Sequence, residues 1–540
     1  MSNFQIIKFF KDKTVLVIDD CPMILNATRA MLIKNGSNPD NINTAKDARQ
    51  AITACTATKY DFILCDYNLG HGTDGLQLLE QLRINNGLAE KTVVFVVTGE
   101  VSKDVFFGFS ELEPDGYLLK PININAVTNR LVNAYRQKQV IRSIYQTYRN
   151  EGAEAAFKKC ARYESSTNIQ LVRANILQQE EAFEQAQQAY ISLINSGEDI
   201  ARIHLGKMLV EQEKYELALK VVNPVIEEKK LRFKALQVQA RCFLKTRNTT
   251  KCLEVCQQLN SMSSTSVERL LVMYNLALAA DDSQLLLNLT NKISSRITNS
   301  RWFTADHILI GARTYLELAE REQNPAAREV HLGEFKKRIK AVEQSLKLSQ
   351  YQWQRDMLKA RYAMLTGDLM LAEEIWFAYQ QDDEAQQISF YCSLDAMHLG
   401  NRLGGVAEMM TDDLGEDIEI SQEILTEQLA VLHRQNQASL KRLTKQAIEL
   451  QQANETMKAV LQWIKIWQIK PFEPDTAFHL IRSLSHSIPM NMPLANVRFM
   501  FEQAKKTIEL KISEDDIPQW FNGTSNGVEK SFNALAMEQC

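Results

Sequence analysis

Proline is scarce through most of this chain: of 11 in 540 residues, only Pro224 and Pro325 lie between Pro121 and Pro471. So long an interval without helix breakers excludes a loop-rich middle and favours long helices. No run approaches roughly 18 consecutive apolar residues, which excludes an evident membrane-spanning helix. The opening MSNFQIIKFFKDK lacks the long apolar core and small-residue cleavage site of a secretory leader. A cytoplasmic protein without membrane insertion is therefore expected. Cysteine forms no CxxC pair; nine are scattered, with Cys252 and Cys256 the closest, and they read as small buried hydrophobes. The eight histidines contain no HExxH, so zinc has no support. Charge of one sign is missing as well. Lys+Arg against Asp+Glu is 15 against 15 over residues 1–140 and 47 against 51 beyond, which disfavours nucleic-acid binding.

What is present divides by texture. The first quarter alternates β-branched runs with amphipathic helical patterns, the signature of a parallel α/β sheet. KTVLVIDD (13–20) is a strand, and PMILNATRAMLIKNG (22–36) its helix, with Pro22 suited to the first turn. Further strands are expected in INTA, DFILCD, TVVFVVTGE and YLLKP, and NINAVTNRLVNAYRQKQ (123–139) supplies a closing helix.

Open parallel sheets bind ligands outside the carboxyl ends of their strands. There the sequence places Asp19 and Asp20 after the first strand, Asp66 after the third, Thr98 after the fourth and Lys120 after the fifth. Three carboxylates gathered without compensation would raise one another's pKa, so the cluster makes sense around a cation. All-oxygen ligands favour Mg²⁺ or Mn²⁺. Lys120 and the Thr98 hydroxyl suit an anion carried on one carboxylate, and a phosphoryl group on Asp66 fits.

Residues 13–139 thus resemble a response-regulator receiver domain of two-component signalling, with the acid pair, central aspartate, threonine and Lys-Pro in family order. The resemblance implies a doubly wound, flavodoxin-like sheet of five parallel strands. It also implies Asp66 as phosphoacceptor, Mg²⁺ held by Asp19, Asp20, Asp66 and the Asn68 backbone carbonyl, and Lys120 on the phosphoryl group. Thr98 and Tyr117 would be the switch pair. A histidine kinase or histidine phosphotransfer protein would be the donor. The chain departs from the family after the phosphoacceptor: Gly70 stands where proline is common, and Asp74-Gly75 falls one residue late, so the loop is longer.

Beyond residue 140 the texture is helical. ARIHLGKMLVEQEKYELALKVVNPVI (201–226) and KARYAMLTGDLMLAEEIWFAY (359–379) each carry small residues twelve apart, Gly206/Ala218 and Ala360/Ala372. Ala174/Ala186 and Ala240/Cys252 repeat the spacing. Small residues at that interval let paired helices approach closely. The pattern resembles a degenerate tetratricopeptide-repeat array, an all-α solenoid that would present a surface to a protein partner.

The expected division is an N-terminal extension (1–12), a receiver (13–139), a tetratricopeptide-like array (140–410), long helices (411–470), and a C-terminal helical segment with a loose tail around NGTSNG (471–540). A heptad seam through Leu429, Leu432, Asn436, Leu443, Leu450, Met457 and Ile464 would permit a homodimer, but Ser439, Gln446 and Ala453 at its alternate positions favour continued packing against the array over a coiled coil. The basic stretch FKKRIKAVEQSLK (335–347) reads as a solvated helix face. No Gly-rich phosphate loop, nucleophile elbow or metal motif follows the receiver, so the output is expected to be binding rather than catalysis. The expectation is a phosphorylation-controlled adaptor. The alternatives are a phosphoryl sink that drains a shared kinase and, behind it, a DNA-binding transcription regulator.

Overall fold

A computed structural model describes residues 3–70, 72–99, 114–120, 124–163, 165–263, 265–297, 304–345, 352–382, 385, 388–403 and 409–538. The chain divides into two compact units, Met1–Arg269 with Arg296–Trp302, and Leu270–Ser295 with Phe303–Cys540.

The first unit opens with α1 (Asn3–Phe10), followed by β1 (Val15–Ile18), α2 (Pro22–Lys34), β2 (Ile42–Ala45), α3 (Ala48–Ala57), β3 (Phe62–Asp66), α4 (Gly75–Ile84), β4 (Val93–Thr98), β5 (Gly116–Leu119) and α5 (Ile124–Glu151). The strands form one parallel sheet in the order β2-β1-β3-β4-β5. Alternate residues face opposite ways along a strand, and here both faces are apolar. Leu16, Ile18, Ile63, Val94 and Val96 pack with Leu76, Leu79 and Leu82 of α4. Val15, Val17, Phe62, Leu64 and Val97 pack with Leu25 and Leu32 of α2 and Val127 and Leu131 of α5. The expected five-stranded, doubly wound fold is present.

The described part of the N-terminal extension, residues 3–12, packs onto the sheet. Phe10 is 1% exposed, and the Phe9 ring lies 5.4 Å from Tyr135 and 6.3 Å from Phe62. A Cβ at Gly36 would stand 2.6 Å from the Ile7 Cα, so α1 lies directly against the turn after α2. The aromatic spacing of the opening segment is a docking pattern.

Nor does the last receiver helix stop at 139. α5 runs unbroken for 28 residues, placing Val127 and Leu131 in the sheet's core and Ile144 in the next one, with Ala156, Ile169 and Ile176. Gly152, at φ +87°, ends it. The α6 (Ala153–Cys160), α7 (Thr167–Gln179), α8 (Phe183–Asn195), α9 (Ile200–Glu211), α10 (Tyr215–Val222), α11 (Arg232–Lys245) and α12 (Thr249–Met262) helices then follow. Pairs α7/α8, α9/α10 and α11/α12 pack across short turns. Ala174, Ala186 and Ala218 are wholly buried, as the small-residue spacing implied. Gly206 is obligatory: a Cβ there would meet Val222 Cγ1 at 2.6 Å.

One repeat signal is conformational rather than chemical. Glu181, Glu213, Arg247 and Asp281 all have φ near +57°, at intervals of 32, 34 and 34 residues. The following amide closes onto the carbonyl five residues back, as Lys214 N does to Leu209 O at 2.8 Å. Left-handed caps of this kind are usually glycine, and their charged side chains hide the repeat from a motif search.

α13 (Val267–Ala279) and α14 (Ser283–Arg296) contribute residues to both units. The second unit continues with α15 (Ala305–Arg321), α16 (Pro325–Ser345), α17 (Gln352–Thr366), α18 (Leu369–Gln380), α19 (Phe390–Leu403), α20 (Glu416–Gln452), α21 (Thr456–Ile469), α22 (Pro474–Leu484), α23 (Leu494–Lys511) and α24 (Trp520–Glu538). Its apolar core gathers Trp376, Trp463, Trp467, Phe501, Phe521 and Phe532. Beside it lies a buried ionic network. Asp395 accepts from Arg313 Nη2 (2.7 Å) and Arg361 Nη1 (2.6 Å), and Arg361 Nη2 reaches Glu317 (2.7 Å) and Glu320 (2.9 Å). Arg313, Arg361 and Asp395 are wholly buried. This network was not foreseen.

Residues 411–538 settle two further points, the second of them a correction. The heptad seam is broken, because α20 ends at Gln452 and Asn454, at φ +58°, turns the chain so that α21 folds back on α20. Leu432 is 52% exposed and Met457 40%. The NGTSNG stretch is not a loose tail but lies inside α24, where Phe521, Val528 and Phe532 are each 1% exposed. Burial of that stripe outweighs the poor helix propensity of Gly and Asn. In 335–347 the described residues match expectation, with Phe335 and Ile339 buried and Lys336, Lys337 and Lys340 exposed. Residues 346 and 347 lie outside the described residues.

Candidate functional site

Each strand of the sheet ends in the same layer, and the polar residues expected there are brought together. β1 delivers Asp19, 2% exposed, whose Oδ1 accepts from the Cys21 amide (3.0 Å) as the chain turns into α2. Asp20 is exposed beside it. β3 ends in Asp66, 5% exposed. One ligand oxygen from each of Asp19, Asp20 and Asp66 lies within 4.8 Å of the others. Among the described residues this is the sole group of three or more acids, histidines or cysteines with metal-holding geometry.

Lys120 closes the opposite side. The β4–β5 pairing sets Thr98 against Leu119, and Lys120 N donates to the Thr98 carbonyl at 2.9 Å, which fixes where the lysine leaves the sheet. Its Nζ reaches Asp19 Oδ2 at 2.7 Å and Asp66 Oδ2 at 2.9 Å. Burial, which alone would lower the lysine's pKa, is outweighed by these two carboxylates, and the pKa is raised. Asp66 is also raised: burial pushes its carboxyl up, and Lys120 offsets only part of that, with Asp19 adding repulsion. One ammonium is too little charge for three carboxylates.

That imbalance is the test of fit for a metal. The donors are all oxygen, clustered, net negative and partly open to solvent, which suits Mg²⁺. Asp19, Asp20 and Asp66 would hold it, with the Asn68 carbonyl the further ligand implied by the resemblance. Asn68 is exposed, and its side-chain Oδ1 accepts from Gly70 N at 3.1 Å, so it shapes the loop whatever its carbonyl does.

The loop after Asp66 absorbs its extra residue through glycine. Gly70 and Gly72 have φ of +76° and +112°, and a Cβ at Gly70 would sit 3.2 Å from Asp20 Oδ2. Gly75, the first residue of α4, is required outright: a Cβ there would lie 2.1 Å from the Asp66 carbonyl oxygen. Asp74 caps α4 in a reciprocal box, accepting from Gln77 N (2.8 Å) while Gln77 Oε1 accepts from Asp74 N (3.1 Å). The Gln77 side chain donates in turn to the Arg296 carbonyl of this same unit (3.2 Å). The displaced Asp-Gly pair therefore fixes the loop end. Its signal was in the sequence, although neither residue was assigned a role there.

Thr98 is 6% exposed and stands one residue beyond the position paired with Asp66. Tyr117, paired with Val96, is half-buried against the face that packs on α4. Asp19, Asp20, Asp66, Thr98 and Lys120 thus lie at the carboxyl ends of strands of one sheet, Asn68 follows in the loop after β3, and Tyr117 lies within β5.

Residues 15–132 match the response regulator receiver domain family. Over 94 residues the chain is 30% identical to the transcriptional regulatory protein ComA of Bacillus subtilis, a match spanning 17% of this chain and 42% of that relative's length. Among solved structures, the chemotaxis protein CheY4 of Vibrio cholerae is 23% identical, covering 23% of this chain and 98% of that one, with a TM-score of 0.21. A Francisella response regulator receiver domain is 26% identical over the same shares, also at 0.21. The chain carries a receiver domain at its N-terminus, followed by a large helical region.

Proposed function

From a receiver domain that continues without a break into helices, we propose a phosphorylation-controlled response regulator whose output is protein binding. Asp66 accepts the phosphoryl group from a phosphohistidine of a kinase or phosphotransfer protein. The P–N bond breaks, an Asp66 O–P bond forms, and the imidazole leaves and takes up a proton. Mg²⁺ bound among the acids would neutralise charge on the transferring group. Lys120 has a further task. Once a phosphoryl group occupies Asp66, the ammonium that now bridges Asp19 and Asp66 has a stronger anion to bind, and Thr98 offers a hydroxyl at the same strand ends.

The observation that carries this reading is the Lys120 bridge beside three clustered carboxylates. The proposed helical output, a tetratricopeptide-like array, draws support from the paired helices and the recurring left-handed caps. Coupling draws support from α5. Arg149 makes a two-pronged pair with Glu90 (2.8 and 3.0 Å), tying the far end of that helix back to the loop before β4. The receiver promotes only its own phosphorylation and dephosphorylation, acts in the cytoplasm, and is not a DNA-binding module.

Acetyl phosphate with Mg²⁺ tests the reading. The intact chain should gain an alkali-labile acyl phosphate, and Asp66→Asn should not. A partner recovered with the phosphorylated chain should bind the unphosphorylated chain and the variant differently from the phosphorylated one. Equal binding by all three would leave a phosphoryl sink as the better description, and salt-sensitive DNA binding mapped to the helices would favour a transcription regulator.

A further inference from the structure

The second unit contains a cavity of about 890 Å³. On one side α15 and α19 present Glu320, Arg321, His398 and Arg402; on another, α20 presents Leu425, Leu429 and Leu432. A second cavity of about 400 Å³ shares Asn401, Arg402, His433 and Gln437 with the first, so the two adjoin along one groove face.

The middle of α20 is incompletely packed by its own unit. Ile418, Ile424 and Leu425 are buried at one end and Ala447 toward the other, but no residue from 426 to 446 is buried. Val431 and Leu432 are 38% and 52% exposed. An apolar helix edge of this kind, lining a groove, is a surface for a ligand side chain.

Charge selects the ligand. The acids lining the groove already have cations: Glu317 and Glu320 hold Arg361, and Asp281 holds Arg321 at 2.8 Å. The bases Arg442 and Lys465 make no ion pair among the described residues. Uncommitted charge in the groove is therefore positive. Its polar lining also has hydrogen-bonding capacity: Glu320 Oε1, 3.7 Å from Arg402 Nη1, and Arg321 Nη1 are buried atoms without a hydrogen-bond partner, one an acceptor and the other a donor. A peptide backbone supplies a matching N–H and C=O.

We propose that this groove binds an acidic, leucine-bearing peptide segment of a partner protein. Its carboxylates meet Arg442 and Lys465, its apolar side chains meet Leu429 and Leu432, and its backbone pairs with Glu320 and Arg321. The proposal rests on the protein-binding output argued above and names its surface. A nucleic acid would use the positive charge but leave the leucines and the Glu320 oxygen unmatched.

The test uses the full-length protein and fluorescein-labelled twelve-residue peptides of Glu, Leu and Gln, set against the same peptides with Lys replacing Glu, a single-stranded oligonucleotide, and the protein's own sedimentation. The acidic peptide should bind preferentially. Arg442→Glu with Lys465→Glu should weaken it by about tenfold and shift preference to the basic peptide, and Leu429→Asp with Leu432→Asp should weaken both peptides. An unshifted melting temperature for the charge-reversed protein keeps the result interpretable. The proposal fails if charge reversal leaves peptide affinity unchanged, if acidic and basic peptides bind alike or not at all, if the oligonucleotide binds more tightly, or if the reversal acts by abolishing self-association. Phosphorylation measured in parallel separates the two readings. Phosphate-dependent partner binding that ignores Arg442 and Lys465 sinks the groove alone, whereas selective peptide binding that ignores phosphorylation sinks the switch alone.

Discussion

Both units bring charge together, and they settle it in opposite ways. At the strand ends of the receiver, three carboxylates share one lysine and one of them, Asp20, faces solvent. In the second unit Arg313 and Arg361 meet Asp395, Glu317 and Glu320 with every side chain at most 8% exposed. The first arrangement leaves negative charge unmatched where a cation and a phosphoryl group can reach it. The second meets most of its charge internally, on side chains that are buried although Glu317 and Glu320 also border a groove. Unmatched charge at an accessible strand end reads as chemistry; matched charge inside a helix stack reads as architecture, since a buried pair is tolerated only when every partner stays in place.

The most decisive way to break this contrast is Asp66→Asn, which should abolish acyl phosphate formation while the chain stays folded, as read by phosphate incorporation and circular dichroism. Retained phosphorylation would move the acceptor elsewhere. The same substitution removes a carboxyl whose pKa burial raises above 3.8 in the fold. Such a group favours the folded state below its unfolded pKa and loses that contribution as pH rises through its folded pKa. Without metal, the variant should therefore be the more stable protein at pH 7, an advantage absent below pH 3.8. Mg²⁺ should stabilise the wild type more than the variant in thermal melts.

Asp395→Asn should cost about 3–5 kcal/mol in the second unit, because it leaves two buried guanidinium groups short of their shared anion. Denaturant unfolding should show the loss while receiver phosphorylation persists. Equal destabilisation of both units would erase the distinction drawn here.

His398 sharpens the contrast by pH. Burial lowers its pKa below 6.5, assisted by Arg361 and Arg402, while Glu317 and Glu320 pull the other way. A depressed folded pKa means stability is complete above pH 6.5 and lost as pH falls through the folded value. His398→Gln should flatten that part of the second unit's stability profile; an unchanged slope would remove His398 from the account. The smallest effect belongs to the exposed Arg149–Glu90 pair, where Glu90→Gln should lower stability only slightly, by an amount that disappears in high salt.

Much of the receiver was legible because its signals are local. β-branched runs mark strands, and a parallel sheet must collect their ends in one layer, so Asp19, Asp20, Asp66, Thr98 and Lys120 can be gathered from the sequence alone. The helical region was legible only in kind. Small residues twelve apart announced paired helices, yet a left-handed cap at Glu213 or Arg247 carries no compositional mark. The heptad at 429–464, already weakened by Ser439, Gln446 and Ala453, is interrupted for a related reason: apolar spacing does not reveal that Asn454 turns the chain.

By itself, then, the sequence determined the sheet, the acid site and the helical character of the rest, because each follows from neighbours a few residues apart or from strand ends that topology must align. Only the tertiary structure decided that residues 3–10 seal the receiver's core, that α5 serves two cores, that NGTSNG is helical, and that Arg313 and Arg361 meet Asp395, Glu317 and Glu320 in one buried network. Those outcomes depend on contacts between residues tens of positions apart, where burial and desolvation outweigh local preference and leave no pattern along the chain.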